Sequence, residues 1–231
     1  MLRRNLLVDD ITQGKLDPVV LDELAASLWP QDCQTCEWSL GDGQCALVVD
    51  VMAYMAHASI HHPKCSEPNW NDSGYHKVTS GPLISWVAVG TIIPAAVNGD
   101  QISYIPGVIV NPSLEMVNLG LGKDGRWELS TLTRVRESGF EPPMEGMKIG
   151  TPVRDSHLVI TPTSWRVIIP GSIETYEVSP EPQMTKLVAK TKAILAIVTQ
   201  AADPGALRPE TMPSVMSSKH TLVGWVPLYE P

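Results

Sequence analysis

The sequence predicts an α+β fold: a small cysteine-bearing module near the N-terminal end, then a mostly antiparallel β domain, a sheet or partial barrel, with one long helix in its second half. Three observations lead there. All four cysteines, Cys33, Cys36, Cys45 and Cys65, fall within one 33-residue window. From Leu83 onward, short β-branched and aromatic runs alternate with turn-forming Pro, Gly and Asn. One late stretch, 183–201, places Leu187, Ile194, Leu195 and Val198 on one side, with Lys186, Lys190 and Lys192 mostly off it.

Taken in order, residues 1–30 read as a helical segment, 31–75 as the cysteine module and 76–231 as the β-rich domain. Val19, Val20, Leu21, Leu24 and Leu28 recur at helical spacing after Asp17-Pro18, a cap followed by proline in the first helical position, so a helix is expected over 17–28. Residues 45–52 and 56–62 form a hairpin about the link Ala53-Tyr54-Met55. Further strands are expected at 83–93, 102–110, 114–120, 126–133, 157–161, 164–169, 173–178 and 221–228. Asn98-Gly99-Asp100, Asn111-Pro112, Lys123-Asp124-Gly125 and Pro170-Gly171 are among the turns between them. The helix over 183–201 lies on the sheet as an amphipathic cover and ends at Asp203-Pro204-Gly205.

The chain has 231 residues, with 17 Lys and Arg against 25 Asp and Glu, for a formal charge of −8. That balance disfavours a nucleic-acid backbone as main partner. A 43% apolar and 18% charged composition excludes a disordered acidic tail. Arg3-Arg4 is followed by only three apolar residues before Asp9-Asp10, which is no signal peptide, and no apolar run is long enough for a bilayer, so a cytoplasmic protein is expected.

The strongest chemical signal is Cys33-Gln34-Thr35-Cys36, then 25 residues, then His62-Pro63-Lys64-Cys65. Two ligand pairs, each separated by two residues, place two donors on one tight turn apiece, and folding brings the turns around a tetrahedral ion. His61 and His62 point to opposite faces of a strand, and the two-residue gap to Cys65 favours His62. His61 then shares a face with Ser59 and His57. Cys45 reads as a small buried apolar residue; the alternative is an all-cysteine site in which it replaces His62. The resulting expectation is zinc, held structurally by Cys33, Cys36, His62 and Cys65 with no open position for water.

The order Cys-x2-Cys, hairpin, His-x2-Cys resembles treble-clef-like zinc knuckles of the LIM and PARP-finger type, over residues 31–72 only. The resemblance implies a zinc module that either grips damaged DNA with basic residues or docks on proteins. Between Cys36 and His62 there is no Lys or Arg, while Glu37, Asp42 and Asp50 are present. Phosphate neutralisation requires cations, so protein docking is the implied role that survives. An HNH-type nuclease is disfavoured, because Asn69, Asn71 and His76 crowd beside Pro68, Asp72 and Gly74 in a loop.

Gly120-Leu121-Gly122-Lys123-Asp124-Gly125 matches G-x-G-x-x-G, but the strand-like Arg126–Leu132 follows it, where a dinucleotide site needs a helix. A hairpin with Asp124-Gly125 at its tip is expected instead. The tryptophans are spread along the chain and expected mostly in the core, with Trp38 and Trp70 placed to offer a partner contact. Glu137, Glu141 and Glu145 read as a solvated loop, and His157 and His220 as isolated structural histidines.

The function expected is a zinc-stabilised, non-enzymatic protein that binds other proteins or assembles with copies of itself. The alternative is a hydrolase-like enzyme whose site in the β-rich domain leaves no motif, drawing on His76, His157, Glu137, Tyr104 or Tyr176. A nucleic-acid-binding zinc finger is the third reading.

Overall fold

A computed structural model describes residues 5–29, 32–74, 88–97, 101–114, 116–143, 151–161, 164–170, 175–179 and 181–229. His76, Trp86, Glu145, residues 83–87, the turn at Asn98-Gly99-Asp100 and Gly171 lie outside them. In chain order the described strands are β1 (Leu6–Leu7), β2 (Cys45–Met52), β3 (Met55–His61), β4 (Asn69–Asn71), β5 (Val89–Val97), β6 (Gln101–Val110), β7 (Met116–Leu121), β8 (Trp127–Leu129), β9 (His157–Ile160), β10 (Trp165–Ile168), β11 (Thr175–Val178), β12 (Ala193–Thr199) and β13 (Thr221–Pro227). The helices are α1 (Asp10–Lys15), α2 (Pro18–Ser27), α3 (Thr131–Glu137), α4 (Pro182–Thr191) and α5 (Met212–Met216). The protein is mostly β, and most pairings are antiparallel. Among the described strands three pairings are parallel: β1 with β2, β4 with β2, and β6 with β12. The chain forms two compact units, Met1–Ile84 with Ser113–Thr131, and Ser85–Pro112 with Leu132–Pro231. No helix among the described residues is long and apolar enough to cross a membrane.

In the first unit, Asp17 caps α2 by accepting from the Val19 amide (2.9 Å), with Pro18 next, as the sequence predicts. Asp9 does the same for the unpredicted α1, accepting from the amides of Ile11 and Thr12. The expected hairpin forms as β2–β3, pairing Met52 with Met55 across a turn in which Ala53 takes φ 55°. The sheet runs β2–β3–β7–β8, and β1 and β4 both lie along the outer edge of β2. Alternation then sorts its two faces. Leu47, Val49, Ala56, Ala58, Ile60, Trp70, Val117 and Leu119 point into an apolar core with Leu24 and Leu28 of the α2 region. Asp50, His57, Ser59, His61 and Asn118 occupy the other face and are buried as well. Gly120 to Gly125 is the β7–β8 hairpin, with Gly125 at φ 78°, so the glycines serve a turn and not a dinucleotide.

The second unit holds two sheets, β5–β6–β12–β13 and β9–β10–β11. Residues of both sheets and of α4 share one core, including Val108, Val110, Leu158, Val167, Tyr176, Met184, Val188 and Ile194. A second cluster on the other side of the four-stranded sheet gathers Ile93, Ile105, Ile109, Leu195, Ile197 and Trp225, with Met212 and Met216 against it.

The long helix expected over 183–201 is corrected by this unit. Helix α4 covers only Pro182–Thr191, stops at Lys192 in the left-handed conformation (φ 56°, ψ 19°), and is followed at once by β12. Ile194, Ala196 and Val198 enter one core and Leu195 and Ile197 the other, so this strand is buried on both faces and its apolar run carries no alternation. The strand expected over 126–133 is also shorter: β8 ends at Leu129 and α3 begins at Thr131. The strand expected at 83–93 is described as Val89–Val97.

Candidate metal centre

The first ligand turn is shaped by its own backbone. The Cys33 amide donates to the Trp38 carbonyl (2.9 Å), the Glu37 amide donates to the Cys33 carbonyl (2.8 Å), and Asp32 bridges Ser39. Glu37 closes this turn at φ 63°, in the left-handed region. The Gln34 amide donates to the Ile60 carbonyl (3.2 Å), which fastens the turn to the end of β3. The second turn follows directly from β3: the amides of Cys65 (2.8 Å) and Ser66 (3.1 Å) both donate to the His62 carbonyl.

These two turns bring Cys33, Cys36, His62 and Cys65 together, with their ligand atoms all within 4.8 Å of one another. The cluster can hold a metal ion. A tetrahedral ion with ~2.3 Å bonds to sulfur and ~2.05 Å to nitrogen sets its ligand atoms ~3.6–3.8 Å apart. The Cys36 Sγ to His62 Nδ1 separation is 3.4 Å, close to that edge. The other ring nitrogen, Nε2, lies 3.1 Å from the Ser39 carbonyl oxygen and so carries the proton, leaving the Nδ1 lone pair to face the cluster. The amides of His62 (3.2 Å) and Thr35 (3.5 Å) donate to the Cys33 sulfur.

The thiols are unequal. Burial raises Cys33, but the amides of His62, Thr35 and Cys36 outweigh it and bring the group down to about 7. Cys65, sharing a hydrogen bond with Cys36 and facing the charge of Cys33, is pushed up to about 11. Three sulfurs crowded on one site do not all ionise without a cation among them, which is the condition a metal relieves.

The two alternative ligands stand elsewhere. Cys45 is fully buried in the apolar core; burial, then the Cys33 charge, raises its thiol. His61 is a buried link: its Nδ1 lies 2.9 Å from the Thr35 hydroxyl, between the first two cysteines, and its Nε2 lies 2.9 Å from Ser59. The roles of Thr35 and Ser59 were not legible in the sequence beyond the His57–Ser59–His61 alternation. Trp70 is buried edge-on to Trp127 (centroids 5.7 Å apart), whereas Trp38 is 77% exposed.

Of the candidates for a motif-less catalytic site, His76 lies outside the described residues. Tyr176 is fully buried in the second unit's core, and Tyr104 and Glu137 are exposed. His157 lines an open cavity with Ser156, Lys192, Pro227, Leu228 and Tyr229. The chain matches no protein-family profile, no curated protein and no solved structure.

Proposed function

We propose that Cys33, Cys36, His62 and Cys65 hold one structural zinc ion, and that the knuckle it fixes serves protein–protein binding or self-assembly, not catalysis. A set of three sulfurs and one imidazole suits zinc, and four protein ligands leave no position for a reacting water. Trp38 carries the binding half of this reading. Its carbonyl is held by the amide of Cys33, itself one of the four proposed ligands, while its ring is 77% exposed. A large aromatic side chain on a fixed backbone loses little entropy on docking and is a common anchor of interfaces. The exposed Glu37 and Asp42, with no Lys or Arg between Cys36 and His62, favour a protein surface over nucleic acid.

Metal analysis and sedimentation test the two halves separately. Purified protein should carry one zinc per chain. The zinc-loaded wild type should self-associate, or be cross-linked in its host to a reproducible partner, and Trp38→Ser should abolish that while keeping its zinc. A monomer that captures nothing, or a Trp38→Ser variant that associates as well as wild type, refutes the binding role; a metal-free protein with four freely titrating thiols refutes the zinc.

A further inference from the structure

Cys33 is the member of the Cys/His cluster that is fully buried. A thiolate there is cut off from water, so protein donors have to meet its charge. Two amides do so, one from each turn: that of His62 at 3.2 Å and that of Thr35 at 3.5 Å. The His62 amide is carried by the chain as it leaves β3. The Thr35 amide belongs to the first turn, and its aim depends on what holds Thr35.

That hold comes from the polar face of the sheet. The Thr35 hydroxyl lies 2.9 Å from Nδ1 of His61, whose Nε2 lies 2.9 Å from the Ser59 hydroxyl. A neutral imidazole's N–H and lone pair are both matched, since each hydroxyl can donate or accept. Ser59 and His61 are buried, and register fixes them: they pair with Val48 and Ala46 of β2. A ring bonded at both nitrogens cannot turn without breaking a bond, so His61 offers Thr35 a fixed anchor. Threonine is stiff at χ1, which passes the position of its hydroxyl on to its backbone. Thr35 is itself exposed, so packing does little to hold it. His61 thus serves both amides: its ring anchors Thr35, and its own backbone leads into His62.

We propose, on the zinc reading given above, that Thr35 is a positioning residue for the metal: anchored by Ser59 and His61, it keeps its amide on Cys33 Sγ and so sets how much charge that sulfur gives to the ion. Partners outside the ligand set commonly orient ligands and tune a metal in this way. Losing the amide leaves more charge on a buried sulfur, which weakens metal binding and raises the energy of the sulfur electrons.

The test loads the full-length protein with zinc, measured by chelator competition, and with cobalt(II), whose sulfur-to-metal charge-transfer band reports on the thiolates. Thr35→Val keeps the branched shape and loses the hydroxyl; Thr35→Ser keeps the hydroxyl. Zinc affinity should fall ~10–100-fold in Thr35→Val and stay within ~3-fold of wild type in Thr35→Ser. The cobalt band should move to longer wavelength in Thr35→Val alone. Val49→Ala is the control, a truncation in the same unit's core outside both turns: it lowers affinity through folding and leaves the band unmoved. Wild-type affinity or an unmoved band in Thr35→Val, the same shift in Val49→Ala, or a Thr35→Ser variant that behaves like Thr35→Val overturns the proposal while leaving the zinc assignment standing. A wild type that takes up neither metal overturns the zinc assignment, and the role of Thr35 falls with it.

Discussion

Removing the metal should unfold the first unit and spare the second. The four proposed ligands would close the chain between Cys33 and Cys65, a 33-residue loop. Treated as a cross-link, that closure is worth ~3.7 kcal/mol of chain entropy at 25 °C. The enthalpy of the metal bonds adds to it, up to the ~10 kcal/mol by which zinc stabilises small modules. A unit of about a hundred residues has ~5–15 kcal/mol of stability in all, so even the lower figure takes most of a marginal unit's reserve. The second unit has its own two apolar clusters and none of the four ligands. Hydrogen exchange after chelation reads both units at once. Amides of β2 and β3, such as Val49 and Ala58, should lose protection by at least ~400-fold, since ~3.7 kcal/mol is about 2.6 powers of ten at 1.4 kcal/mol each. Ile197 of β12 should change little. If β2 and β3 stay within tenfold of their metal-loaded protection once the metal is fully removed, the knuckle does not carry the unit and the structural role assigned to the metal fails.

The ligand set makes a sharper distinction. Cys45→Ala should keep a full equivalent of metal and lose only ~1 kcal/mol of stability from the small cavity it leaves, whereas Cys65→Ala should lose the metal; elemental analysis of both variants decides whether Cys45 is a bystander. Because Cys65 is held up to about 11 without metal, it is protonated at pH 7, and metal uptake there must displace its proton. Affinity should therefore rise as pH is raised from 6 to 9, and a competition titration showing no dependence would contradict the assignment of Cys65. His61→Ala should leave the Ser59 hydroxyl buried without its imidazole partner and cost ~1–3 kcal/mol, measured by urea unfolding of metal-loaded protein. In the second unit, a Cβ added at Gly224 would lie 2.7 Å from both Phe140 Cδ1 and Val153 Cγ2, so Gly224→Ala should cost ~1–3 kcal/mol and lower the melting point by several degrees, read by calorimetry.

What could be read from the sequence was what is written locally. The cluster that could hold a metal was legible because each Cys/His pair lies on a single turn, where spacing alone fixes geometry. The β2–β3 hairpin was legible because one face alternates with the other: His57, Ser59 and His61 against Ala58 and Ile60. The β12 strand failed for the converse reason. Its partner β6 lies more than eighty residues away and pairs with it in parallel, and a strand buried on both faces carries an unbroken apolar run that suits a helix equally well. The boundary that separates α4 from β12 is a lysine in a conformation usually reserved for glycine, so the usual stop signal was missing from the sequence at the point where it was needed. The stop is instead held from a distance: the Leu228 amide, more than thirty residues on, donates to the Lys192 carbonyl (2.9 Å). A chain that follows local rules at the end of a helix places glycine there; here a contact from the end of β13 holds the boundary, and local sequence does not encode it.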